Sequence, residues 1–89
     1  MMKSLSNNQE LYKYLLDLTA KLENRNAVEL SKTVASAGRH ASGMSTEFLG
    51  ESRIALRRVL EKENGILIVQ ERADLTVVLE QLNNALDNR

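Results

Sequence analysis

Leu11, Leu15, Leu18 and Leu22 recur four, three and four residues apart. With a period of about 3.6 residues, that spacing puts all four on one stripe of an α-helix. A strand, with its period of two, would send them alternately to both faces. A second stripe, Leu75, Val78, Leu79, Leu82 and Leu86, closes the chain. No proline occurs anywhere to break either segment. Eighty-nine residues leave room for one core only. The expectation is therefore an all-α fold: a single helical domain over residues 1–89, built as a small up-down four-helix bundle.

The stripes and their caps predict helices over about 7–24, 27–42, 46–63 and 75–87. Ser6 with Gln9, or Asn7 with Glu10, supplies the first N-cap, and Leu16 falls off that helix's apolar stripe. Asn26 and Glu29 form a capping pair for the second helix, whose inward positions Ala27, Leu30, Val34, Ala37, Gly38 and Ala41 are mostly small. Small side chains bury little area, so this helix must bring its backbone close to a neighbour. Gly38 costs about 1 kcal/mol against alanine in a helix interior, which demands either such packing or a break. Ser45 or Thr46 caps the third helix, and Glu47 suits its N-terminal dipole. Phe48, Leu49, Ala55, Leu56, Val59 and Leu60 share one arc of it. Asn64-Gly65 ends it, with Gly65 in the left-handed position and Ile66 as the hydrophobic follower. Asp74 caps the fourth helix. Between them, Ile66-Leu67-Ile68-Val69 reads as a short strand by its β-branching, as coil, or as an early turn of the last helix; helix or coil is favoured because residues 57–63 lack strand alternation.

Composition removes whole classes of function. Twelve basic and twelve acidic residues cancel, so bulk charge gives no grip on nucleic acid or anionic lipid. Residues 1–43 carry a net of +2 and residues 44–89 a net of −2, which favours antiparallel contact within or between chains. The chain has no cysteine, which excludes disulfides, thiolate zinc sites and thiol catalysis. The N-terminal residues have no apolar signal-peptide core, and the longest aliphatic run has four residues, far short of the roughly 20 of a membrane span. The expected location is the cytoplasm, without membrane contact.

Sites of chemistry are sparse. His40 is the sole histidine, and its nearest following acid is Glu47, seven residues on. No ligand pair at helical spacing accompanies it, so neither a metal nor any other cofactor is expected. Residues 35–43, with glycines, serines, Arg39 and His40, have the composition of an anion cradle but lack the phosphate-loop pattern. Their expected role is close packing and a turn. No serine-nucleophile motif or forced carboxylate pair appears, so the expectation is a non-enzyme.

The segment Phe48-Leu49-Gly50-Glu51-Ser52-Arg53-Ile54-Ala55-Leu56-Arg57-Arg58-Val59-Leu60 resembles the turn and recognition helix of the helix-turn-helix family. Leu49, Gly50, Ser52, Arg53, Leu56 and Val59 match that family's positions, while Glu51 and Ser45 stand where it places apolar residues and Gly43 interrupts its first helix. The resemblance implies a DNA-binding regulator using residues 46–60, with Ser52, Arg53, Arg57 and Arg58 toward the duplex. It requires a sharp turn at Gly50. The other reading is an unbroken helix through Gly50.

Leu16, Val28, Ile54 and Val77 fall off the inward stripes, and Ile66 to Val69 needs a cover. A chain this short buries only about 60% of its unfolded surface, so surplus apolar residues point outward to a partner. The sequence-based expectation is a small regulatory interaction protein that binds a protein partner or itself, as a homodimer. Leu16, Ile54, Ile66, Ile68 and Val77 are its contact candidates.

Overall fold

A computed structural model describes residues 8–42 and 45–87. It contains four α-helices: α1 (Asn8–Asn24), α2 (Val28–Gly38), α3 (Ser45–Lys62) and α4 (Val69–Asp87). One 3-10 turn, Arg39–Ser42, follows α2, and no strand occurs among the described residues. The fold is the small all-α bundle that the stripes require. Ser6, Asn7 and Gly43, expected as caps and as a break, lie outside the described residues.

Each helix packs on the next in sequence, and the two stripes meet in one core. Leu11, Leu15, Leu18 and Leu22 of α1 are all buried, as are Leu75, Val78, Leu79 and Leu82 of α4. Phe48, Leu56 and Val59 of α3 are fully buried in the same core. Leu49, Leu60 and Leu86 are half-buried at the margin. The small stripe of α2 does bring it close to α1: a side chain on Gly38 would begin 3.7 Å from the Tyr12 ring. At that contact α2 ends, and the second helix continues to Ser42 only as the tighter 3-10 turn.

Both joints described in full differ from the simplest sequence reading. Asn26 does not cap α2. It takes the left-handed conformation (φ 65°) and closes α1, with Ala27 N–H donating to Leu22 O at 2.8 Å and Asn26 N–H to Glu23 O at 3.1 Å. This is the Schellman pattern with asparagine in place of glycine. Ala27 then opens α2 with no side-chain cap.

At the second joint α4 starts at Val69, six residues earlier than the Asp74 cap predicts. Arg72 N–H donates to Ile68 O, and Glu71 Oε1 accepts from Ile68 N–H at 3.1 Å. Glu71 thus performs the reach-back half of a capping box, although Ile68 has no polar side chain to return the bond. Asp74 sits inside the helix and accepts from Gln70 Nε2 at 3.0 Å. The aliphatic run 66–69 is loop and then helix, so the strand alternative does not hold. Asn64 (φ 46°) and Gly65 (φ 89°) make the left-handed turn that ends α3.

Candidate interaction surface

The loop between α3 and α4 is held by two carboxylates. Glu63 is 2% exposed, and its Oε1 accepts the backbone N–H groups of Gly65 (3.0 Å) and Leu67 (3.2 Å). Its Oε2 lies 3.5 Å from Arg72 Nε. Backbone donors and one cation therefore compensate the buried charge. Glu71 pairs in a fork with Arg25 at 2.6 and 3.0 Å, and Lys21 stands 3.6 Å away. The same guanidinium donates to Ile66 O at 3.1 Å. The Arg25 guanidinium, with further help from the Ile68 N–H and Lys21, lowers the Glu71 carboxyl to about 2. This clasp ties the end of α1 to the start of α4.

Behind the clasp lies a crevice lined by Tyr14, Asp17, Leu18, Lys21, Glu71 and Asp74. At about 70 Å³ it has room for a few water molecules. Ligand pockets usually run to several hundred Å³, so it is too small for a substrate of ordinary size. Burial raises the Tyr14 hydroxyl above its usual value, and the charges of Asp74 and Glu71 raise it further. His40 Nδ1 lies 2.7 Å from Glu47 Oε1 across the α2–α3 joint. No group of three histidine, cysteine or acidic side chains suited to a metal ion occurs among the described residues. Of residues 35–43, expected to serve close packing and a turn rather than an anion, Gly38 is buried against Tyr12, and the His40 ring faces a carboxylate.

The helix-turn-helix geometry is not formed. α3 runs unbroken through Gly50, because Phe48, Ala55, Leu56 and Val59 form one buried face along it. Ser52, assigned to the duplex by the resemblance, is 0% exposed. Arg53 turns toward α4, 3.4 Å from Asn83 Oδ1 and 3.8 Å from Asp87 Oδ1. Only Arg57 and Arg58 of that set are exposed.

Of the five contact candidates, Leu16, Ile54 and Ile68 lie open to solvent. Ile66 is half-buried and packs on the core, while its carbonyl accepts from the exposed Arg25 guanidinium; Val77 is half-buried on α4. Val28 and Val69 are exposed as well, Val69 at 87%. Tyr12, 38% exposed, joins them; its place one residue after Leu11 was the signal that it leaves the stripe.

These residues do not form one patch. Leu16 sits on α1, and Ile68 and Val69 on the loop and start of α4. Val28, Ile54 and Ile66 border an open trough between α2 and α3. One stretch, about 470 Å³, is lined by Val28, Leu30, Thr33, Arg58, Lys62 and Ile66 among others. The adjoining stretch, about 390 Å³, carries Lys32, Thr33, Ser36, Glu51, Ile54 and Arg58. The trough lining mixes apolar side chains with charges of both signs, Glu29 and Glu51 against Lys32, Arg58 and Lys62. No described helix is long and apolar enough to cross a membrane.

No protein-family model, curated protein or solved structure matches the chain. The class that the coordinates define is a small all-α helical bundle with an open trough on one side.

Proposed function

We propose that this chain is a small non-enzymatic interaction protein with a regulatory role, acting through its helical surface, and that its simplest partner is a second copy of itself. One observation carries the reading. The core is complete without Val28 and Ile54, yet both stand open beside the α2–α3 trough, each about half exposed or more. Covering an exposed isoleucine or valine contributes up to about 1.5–3 kcal/mol, which the isolated chain forgoes. Trough rims of mixed charge suit a protein surface better than a polyanion. A cytoplasmic setting goes with this reading, since the fold uses no disulfide.

Sedimentation velocity across about a thousandfold range of concentration tests it, because a self-associating chain shifts by mass action. The expected result is a dimer of the 10.0 kDa chain that dissociates on dilution and is weakened by Ile54→Asp. A single monomeric species at every concentration overturns self-association.

A further inference from the structure

Along its outer side α3 exposes Glu47, Glu51, Ile54, Arg58 and Lys62. Spacings of four, three, four and four place them on one face of the helix. The order of charge along that face is acidic, acidic, apolar, basic, basic. Rotated end for end about the point between Ile54 and Ala55, this order becomes its own complement. Glu51 and Arg58 each lie about 5 Å along the axis from that point, and Glu47 and Lys62 each about 11 Å, at 1.5 Å per residue. In an antiparallel pair of such helices Glu51 therefore meets the partner's Arg58, Glu47 meets the partner's Lys62, and Ile54 meets its own mate at the centre.

We propose that two copies dock antiparallel, α3 against α3, about a two-fold axis beside Ile54, with the rim of the α2–α3 trough widening the contact. The proposal rests on the protein-contact reading above and names its partner, face and register. A two-fold interface must be self-complementary, and a helix face bearing one sign of charge would fail that condition.

A second, independent observation concerns Gly50. Nothing lies within 4 Å of where its side chain would begin, so no packing inside the chain calls for glycine in the middle of α3. Glycine there is destabilising relative to alanine. It lies on the outer arc beside Glu47 and Ile54, where a missing side chain lets a second helix approach closely, since interaxial distance follows the side chains at the contact. Five other ionisable side chains, His40, Arg57, Glu61, Lys32 and Glu29, border the face. His40 already touches Glu47, so Glu51 with Arg58 is the deciding pair. Glu61 follows one turn after Arg57 on the same helix, where the two compensate each other. Lys32 and Glu29 of α2 line the trough with opposite signs. Exposed ion pairs add little affinity, but like charges placed opposite each other exclude a register strongly.

Charge reversal tests the register. Glu51→Arg alone and Arg58→Glu alone each put like charges opposite twice per dimer, and each raises the dimer Kd by about tenfold or more. Mixing the two single variants restores both pairs in a heterodimer, seen by native mass spectrometry as the mixed species in excess. The double variant E51R/R58E dimerises alone. Both side chains are solvent-exposed, and circular dichroism of each variant confirms that the helices persist. A wild-type dimer matched in Kd by both single variants, or a mixture with no excess of the mixed species, overturns the α3 register while self-association stands. A wild type that never dimerises overturns both.

Discussion

Replacing Ser52 by alanine should stabilise this protein. Ser52 is 0% exposed on the core side of α3, and its Oγ is buried with no hydrogen-bond partner. A buried hydroxyl without a partner costs about 1–3 kcal/mol in desolvation. Alanine removes that cost and adds up to about 0.5 kcal/mol of helix propensity. The space left by one oxygen, enclosed by the core, takes back some tenths of a kcal/mol. The net expectation for Ser52→Ala is about 1 kcal/mol of added stability, which for a domain of this size raises Tm by roughly 4–8 °C. Thermal unfolding followed by circular dichroism measures it, with protein concentration held fixed because association also shifts Tm. A Tm lowered by several degrees would refute the reasoning, since it would mean that the hydroxyl makes a bond worth more than its burial costs.

Other outcomes follow from the clasp and the loop. Glu63→Ala strands the N–H groups of Gly65 and Leu67 and frees Arg72, so a loss of about 2–3 kcal/mol is expected in urea unfolding, with Glu63→Gln intermediate; an unchanged midpoint contradicts it. Acid should weaken the clasp in a defined window. Glu71 titrates at about 2 when folded, against an ordinary 4.5, so the stability it adds is present above about 4.5 and is lost as pH falls through about 2. The stability gap between wild type and Glu71→Gln should therefore close over that interval, and a gap independent of pH would show that the Arg25 pair contributes nothing.

The leucine spacing in α1 and α4 was enough to assign both buried faces, because one residue type repeats there at the helical period. The small stripe of α2 was legible in the same way, down to the close approach at Gly38. The Asn26 cap and the Asp74 start of α4 were misread, whereas the Asn64-Gly65 end of α3 and the helix-or-coil reading of residues 66–69 hold. Asn26 serves equally well as an N-cap or as a left-handed C-terminal residue, and only the bonds from Ala27 and Asn26 back into α1 separate the two. Ile68 is a poor N-cap by type, so the α4 start was placed at Asp74, the first residue with a suitable side chain; the backbone contact of Glu71 decides otherwise. The helix-turn-helix resemblance failed on Gly50, which a turn would use for its conformation but which here lies inside a continuous helix. For the contact surface, off-stripe position marked Leu16, Val28 and Ile54, which are exposed, and Val77, which is half-buried; Ile68, marked with the aliphatic run 66–69, is exposed. The same reading missed that Ile66 packs on the core, a tertiary contact that local spacing does not encode. The charge order along α3 was present in the sequence, but it gained meaning only once α3 was continuous and Glu51, Ile54 and Arg58 shared one rim of the trough.

Disulfide trapping addresses the proposed two-copy contact most directly, and the absence of native cysteine makes a single introduced thiol unambiguous. Ile54→Cys, Leu16→Cys and Val69→Cys would be oxidised side by side, and the cross-linked dimer followed in time. At the two-fold axis the mates at position 54 come within disulfide reach. Cross-linking is therefore expected to be fastest for Ile54→Cys, although Val69 is the more exposed position at 87% against 57%. Rates that instead follow exposure, with Val69→Cys ahead, would show that the chains collide at random and that α3 is not where they meet.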